Sequence, residues 1–182
     1  MFTFAVGPYV VHLQEGEGPG APGPFGHGAL LLDQGEPAGA EEARLFLAVS
    51  HADDGHGLLR LERGYSPHAA AGFHPGAALI EETGVLFVGA GTWIAAYALG
   101  PPRKLWEDEA ELGFWTWSRH EDVVLMAAEL GFAAWDIRGT RLWERFVEPP
   151  WSYSVAAGRV HLEVMGQKTS FPLHEGPAPT GQ

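Results

Sequence analysis

An internal repeat constrains this chain more than any other feature. The run Gly84-Val85-Leu86-Phe87-Val88-Gly89 is followed by Ile94-Ala95-Ala96-Tyr97-Ala98-Leu99 and then by Leu105-Trp106. The same order returns as Val123-Val124-Leu125-Met126, Phe132-Ala133-Ala134-Trp135-Asp136-Ile137 and Leu142-Trp143, at offsets of 38, 38 and 37 residues. Self-similarity at such a spacing marks a unit that stacks on copies of itself because it cannot bury its apolar surface alone. After each Leu-Trp pair a fourth strand is expected, Phe114-Trp115-Thr116-Trp117 in one unit and Trp151-Ser152-Tyr153-Ser154-Val155 in the other. There aromatic residues alternate with small hydroxyl residues, which puts the rings on one face. A third unit opens at Arg159-Val160-His161-Leu162-Glu163-Val164, whose strict alternation predicts one wet face, and ends at Phe171-Pro172-Leu173.

The repeated unit reads as β structure. Val85 to Val88 and Val123 to Ala128 are continuous apolar runs, as expected of strands covered on both faces. Val123 to Leu130 also has the Leu, Met, Ala and Glu content of a helix, but its repeat partner is rich in glycine, β-branched and aromatic residues and makes a poor helix. The 25 glycines and 14 prolines call for many turns. Upstream, Phe2 to Leu13 reads as two strands around Gly7-Pro8, and Leu45 to Val49 and Leu59 to Leu61 as further strands. Residues 15–28 carry one large apolar side chain and are expected to form a flexible loop, and Glu36 to Ala43 one helical turn. The expectation is one all-β domain over residues 1–173, an antiparallel meander of stacked short sheets, followed by a loose tail at 174–182.

Glycine, an apolar strand, an alanine-flanked aromatic, a glycine turn and Leu-Trp together resemble the blade repeat of quinoprotein-type (PQQ-like) β-propellers over about residues 84–165. The copy with Ala134-Trp135-Asp136-Ile137, Gly139 and Leu142-Trp143 matches better than the first. The resemblance implies four-stranded antiparallel blades with Trp106 and Trp143 packed between adjacent sheets. No quinone-binding residue of that family falls on this sequence, so an architecture is implied and no cofactor. Residues 45–173 hold 129 positions, about 3.4 units of 38, whereas a closed propeller needs at least four blades. A partial or open propeller is therefore expected, with a sandwich, a barrel or a ring completed by a second chain as alternatives.

With 23 acidic against 11 basic side chains, the formal charge of -12 repels phosphate backbones and anionic lipid. Nucleic-acid and membrane partners are set aside, and a basic protein partner is favoured. The absence of cysteine removes disulfides, thiolate metal sites and cysteine nucleophiles, and it fits a cytoplasmic setting. Met1 to Val6 has no basic region ahead of an apolar core, so no signal peptide is expected, and no apolar run reaches the length of a membrane span. Gly89-Ala90-Gly91 leads into a strand, which excludes a phosphate-binding glycine loop, and no Gly-x-Ser-x-Gly turn is present.

Two local features carry candidate chemistry. The loop His51-Ala52-Asp53-Asp54-Gly55-His56 offers imidazole and carboxylate donors for a divalent ion such as Zn²⁺ or Mn²⁺, with His74, and also His68, joining it if their loops meet. The same residues also serve as ordinary turn chemistry. In Glu148-Pro149-Pro150-Trp151 two prolines hold a carboxylate beside an aromatic strand. Exposed, Trp151 with Trp115, Trp117 and Tyr153 would bind a sugar or a cation; buried, they are core. Glu129 is expected to pair with Arg141 or Arg145. The leading expectation is a non-catalytic binding or protein-interaction module with an acidic surface, of immunity or accessory type, needing no cofactor. The alternatives are a metal-dependent enzyme using His51, Asp53, His56 and His74, and a carbohydrate or small-ligand binder using Glu148 and the aromatic face.

Overall fold

The computed structural model describes residues 1–16, 28–35, 43–66 and 74–178. All regular structure in these residues is strand. The first sheet contains β1 (Phe2–Val6), β2 (Tyr9–Gly16), β3 (Leu31–Gln34), β4 (Ala43–His51) and β5 (Gly57–Tyr65), in the order β1-β2-β4-β5-β3. The second holds β6 (Gly76–Ile80), β7 (Val85–Ala90), β8 (Trp93–Leu99) and β9 (Pro102–Glu109) in chain order. The third holds β10 (Phe114–His120), β11 (Val123–Ala128), β12 (Gly131–Asp136) and β13 (Arg141–Phe146). The fourth has three strands, β14 (Trp151–Ala156), β15 (Arg159–Val164) and β16 (Gln167–Pro172). Every pairing is antiparallel except that of β3, which lies parallel beside β5.

The sheets stack in sequence, and the two-residue period of a strand distributes each apolar run between two cores. Leu86 and Val88 of β7 point into the first core, against Leu45, Leu47 and Leu61 of the first sheet. Val85 and Phe87 point the other way, into a core shared with Val124 and Met126 of β11. Val123 and Leu125 then face Val160 and Leu162 of the fourth sheet. This double coverage is why β7 and β11 are apolar throughout and why Val123–Ala128 is a strand rather than a helix. The two tryptophans of the Leu-Trp pairs lie at these contacts. Trp106 stacks on Trp135 at 5.1 Å and donates to the Gly139 carbonyl at 2.6 Å. Trp143 meets Phe171 edge-on at 5.4 Å and donates to the Leu173 carbonyl at 2.7 Å.

The sheet boundaries differ from the expected phase. Phe114–His120 and Trp151–Ala156 open the third and fourth sheets instead of closing the units before them, since Phe114 pairs with Ala128 and Trp151 with Val164. The count of 3.4 units becomes four sheets because β1 and β2, from residues 2–16, join β4 and β5 in the first sheet. Most of the expected loop (17–27), the expected helical turn (36–42), His68 and residues 179–182 lie outside the described residues. Of the expected tail, His174 contacts Asp122 at 2.7 Å, and Gly176 lies so close to Trp143 that a Cβ there would run into the indole.

The outward face of the fourth sheet is polar, and that of the first mixes polar side chains with Val10, Leu32, Phe46 and Ala48. Two-residue turns close β10–β11 at His120 and Val123 and β14–β15 at Ala156 and Arg159, so the third and fourth sheets correspond at an offset of 36. Val123, Leu125, Ala127, Phe132 and Ala134 of the third sheet are buried against the fourth. Their counterparts are Arg159, His161, Glu163, Lys168 and Ser170, which face solvent. On the first sheet, Thr3, His12, Ala48 and Arg60 share one outward rung and Gln14, Phe46 and Glu62 another, with Phe46 buried at 2 % exposure. Among the described residues no apolar cluster joins the fourth sheet to the first. The polar outer face of the fourth sheet is what an open stack needs at an end. Among the described residues the fourth sheet has three strands, and Pro177, 36 positions beyond the start of β13, has no N–H to give a ladder.

Candidate functional site

Antiparallel hairpins place the loops at two ends of the stack. His51, Asp53 and His56 lie in the β4–β5 turn. The His51 N–H donates to the His56 carbonyl, the Gly55 N–H to the His51 carbonyl, and the His56 N–H to Asp54 Oδ1, at 3.0, 3.0 and 2.8 Å. The His51 ring stacks on Tyr9 at 5.7 Å. His74 sits at the other end, with Nδ1 3.0 Å from Glu15 Oε2, while Glu15 Oε1 accepts from the Tyr65 hydroxyl at 2.6 Å. Tyr9 pairs with His51 and Glu15 with Leu45, six residues apart along β4, which separates the two groups by about 20 Å. The structure therefore brings His51, Asp53 and His56 into one turn but leaves His74 away from it. Among the described residues no three His, Asp or Glu side chains are gathered to hold a metal ion.

The aromatic candidates are divided between two cores. Trp151, 9 % exposed, stacks on Trp115 at 5.1 Å with 12° between planes, and its Nε1 donates to the Glu129 carbonyl at 3.2 Å. Tyr153 packs on Phe132 at 4.6 Å and shares a hydrogen bond with Ser118 Oγ at 2.7 Å. These three lie between the third and fourth sheets. Trp117 belongs to the preceding core, against Phe87, Phe114 and Trp135. They make packing contacts rather than one aromatic platform, and Glu148 stands exposed at the sheet end. Arg141 pairs with Asp108 and Glu144, at 3.0 and 3.2 Å, and not with Glu129.

A cleft of about 500 Å³ opens between the first and second sheets at the same end as His74, lined by Arg63, Tyr65, Trp93, Glu107, Asp108 and Glu109 among others. The Arg63 guanidinium lies 5.0 Å from the Trp93 ring centroid and 2.9 Å from Glu107. Lys104 contacts both Glu107, at 2.6 Å, and Asp33, at 2.7 Å, and Asp33 accepts from the buried Tyr97 hydroxyl at 2.7 Å. Burial works against the Glu107 carboxylate, yet the Lys104 hydrogen bond and the Arg63 charge carry its pKa below the ordinary value. Burial likewise opposes the Lys104 charge, and its bonds to Asp33 and Glu107 raise its pKa. Burial and the neighbouring carboxylates push the Tyr97 and Tyr65 hydroxyls up. All four shifts lead away from neutral pH, so Glu107 stays an anion, Lys104 a cation and the two tyrosines uncharged, and none of them exchanges a proton at physiological pH. The sequence reading did not single out this cleft, although the carboxylate run at 107–109 directly after Leu105-Trp106 was its visible signal.

Charge pairing is uneven over the surface. Among the described residues, the bases Arg44, Arg63, Lys104, Arg119, Arg141 and Lys168 are held in ion pairs with carboxylates. The 23 acidic groups exceed what these bases neutralise.

The described sheets define an all-β, propeller-like open stack. No known protein family matches the sequence, and no curated protein matches it. Among solved structures, the chain is similar to BamB from Moraxella catarrhalis, with 15 % identity and a TM-score of 0.46 over 80 % of this chain and 46 % of that one. It is also similar to Hsv2 from Kluyvelomyces marxianus, with 6 % identity and a TM-score of 0.36 over 76 % of this chain and 49 % of that one. The matched region thus spans just under half of either structure.

Proposed function

We propose that this chain is a non-catalytic protein-interaction module whose acidic surface receives a basic partner. The observation that supports it most is the charge arrangement: among the described residues Arg44, Arg63, Lys104, Arg119, Arg141 and Lys168 are tied up in ion pairs, and 23 acidic against 11 basic side chains leave a large excess of carboxylates to attract positive charge. The cleft points the same way, since its shifted groups are locked in their charge states. An immunity or accessory role, in which the chain neutralises a basic protein, is one concrete form. The test is affinity capture from the source organism at low ionic strength, followed by a salt gradient and isothermal titration with the eluted protein. A basic protein whose affinity falls as salt rises is expected. Retention of acidic or neutral proteins alone, insensitive to salt, would overturn the reading.

A further inference from the structure

We infer that the loop rim at one end of the third and fourth sheets is the docking surface, and that its occupant is a basic amphipathic helix of a protein partner. The inference rests on the acidic-module reading and gives it a location and a ligand class. Three large apolar side chains stand out along this rim: Leu112 before β10, Phe146 at the end of β13 and Met165 between β15 and β16, exposed by 48 %, 57 % and 63 %. The loops that carry them form one continuous ledge. Glu129 N–H donates to the Gly113 carbonyl and Val147 N–H to the Leu130 carbonyl, both at 3.0 Å, and Met165 N–H donates to the Pro150 carbonyl at 2.9 Å. Trp151 Nε1 ties the middle of the ledge to Glu129.

Two of these residues occupy positions that stability alone would give to glycine or asparagine. Leu112 has φ 58° and Met165 φ 51°, left-handed backbone that costs a bulky L-residue roughly 1 kcal/mol. Among the described residues, the other non-glycine residues with positive φ, Glu121 and Ala157, are polar or small and lie in turns at the opposite end. An exposed leucine and methionine in strained turns neither fill the core nor relax the backbone, which points to a surface kept apolar for contact.

Charge and spacing choose the occupant. Glu111, Glu129 and Glu148 sit in the same loops, and no ion pair engages them among the described residues. An apolar row flanked by free carboxylates is complementary to an apolar stripe flanked by lysine or arginine. Leu112 and Phe146 flank the third sheet, three strand spacings or about 14 Å apart, and the fourth sheet with Met165 lies about 10 Å beyond; at about 1.5 Å per residue, apolar residues about seven to ten apart on a helix span such gaps.

The test uses a fluorescein-labelled amphipathic peptide of leucine and lysine, about 18 residues long so that it can hold a helix, and a scrambled peptide of the same composition. Anisotropy is measured at low salt with the full chain and three variants whose thermal melts verify folding. They are Leu112→Asn/Phe146→Ser/Met165→Asn, Glu111→Gln/Glu129→Gln/Glu148→Gln, and, at the opposite end, Asp53→Asn/Asp54→Asn/Glu121→Gln. Each rim variant is expected to weaken the patterned peptide by about tenfold or more, while the opposite-end variant stays within about twofold. Loss confined to the opposite-end variant, or equal affinity for the scrambled peptide, would overturn the rim assignment and leave the acidic module standing. Absence of binding by the unmodified chain would overturn both. Co-sedimentation with phosphatidylcholine vesicles that disappears in the apolar rim variant would instead assign the rim to lipid.

Discussion

Gly89→Ala should unfold this protein at lower temperature, although alanine is the better strand former. Gly89 in β7 and Gly76 in β6 are register partners, and together they make a flat bed on which the Phe114 ring lies. A Cβ on Gly89 would come 2.6 Å from Phe114 Cγ, against the ordinary 3.4 to 4 Å, so the ring would have to retreat by about 0.8 Å. It has nowhere to go. Its residue is 1 % exposed, its N–H is held by the Gly91 carbonyl at 2.7 Å, and Trp117 lies 5.4 Å away. Overpacking of this kind costs roughly 1–3 kcal/mol, and removing a strand glycine returns roughly 0.5–1 kcal/mol. The net loss is about 1–2 kcal/mol, a drop of about 2–8 °C for a chain of this size. Gly131→Ala is the control: in β12 its Cβ would meet only Ala128 and Met126 at 3.7 and 4.0 Å, and it should be neutral or mildly stabilising. Urea denaturation and calorimetry measure both, and Gly89→Ala/Phe114→Leu should recover part of the loss. Equal stability of Gly89→Ala and the parent, or an equal fall in Gly131→Ala, would refute the proposed seating of Phe114.

Two more outcomes are expected. Glu107 has a folded pKa below its ordinary 4.5, so its stabilising contribution is full above that pH and is lost as pH falls through the lower folded value; Glu107→Gln should cost under about 1 kcal/mol at pH 7, and the difference from the parent in urea titrations should shrink as the pH is lowered below 4.5. Arg159→Val/His161→Leu/Glu163→Ala gives the fourth sheet the outward side chains of its counterpart in the third, and light scattering should then show self-association that the parent lacks.

The repeat made much of the stack legible. Continuous apolar segments such as Val123–Ala128 signalled coverage on both faces, and the alternation Arg159-Val160-His161-Leu162 signalled the wet face of the last sheet. Where one sheet ends could not be read in the same way, because a run of similarly spaced strands has no intrinsic starting point; only pairings such as Phe114 with Ala128 fix the phase. The parallel edge strand Leu31–Gln34 was hidden because its partner, β5, lies 28 residues away. The aromatic residues Trp115, Trp117, Trp151 and Tyr153 were visible as a group, but strand alternation does not say which sheet covers a face, so their burial in two separate cores was not. The rim of Leu112, Phe146 and Met165 escaped for a related reason: a lone apolar residue in a turn looks like noise until its loops are seen side by side.

The central claim is that the described residues form four sheets stacked in sequence, and that the polar outer face of the fourth sheet is a free end rather than a seam with a second chain. Sedimentation equilibrium over a wide concentration range tests it most directly. A single species of 19.6 kDa is predicted throughout. A stable species of twice that mass, dissociated by Arg159→Glu or His161→Glu on the outer face, would contradict it.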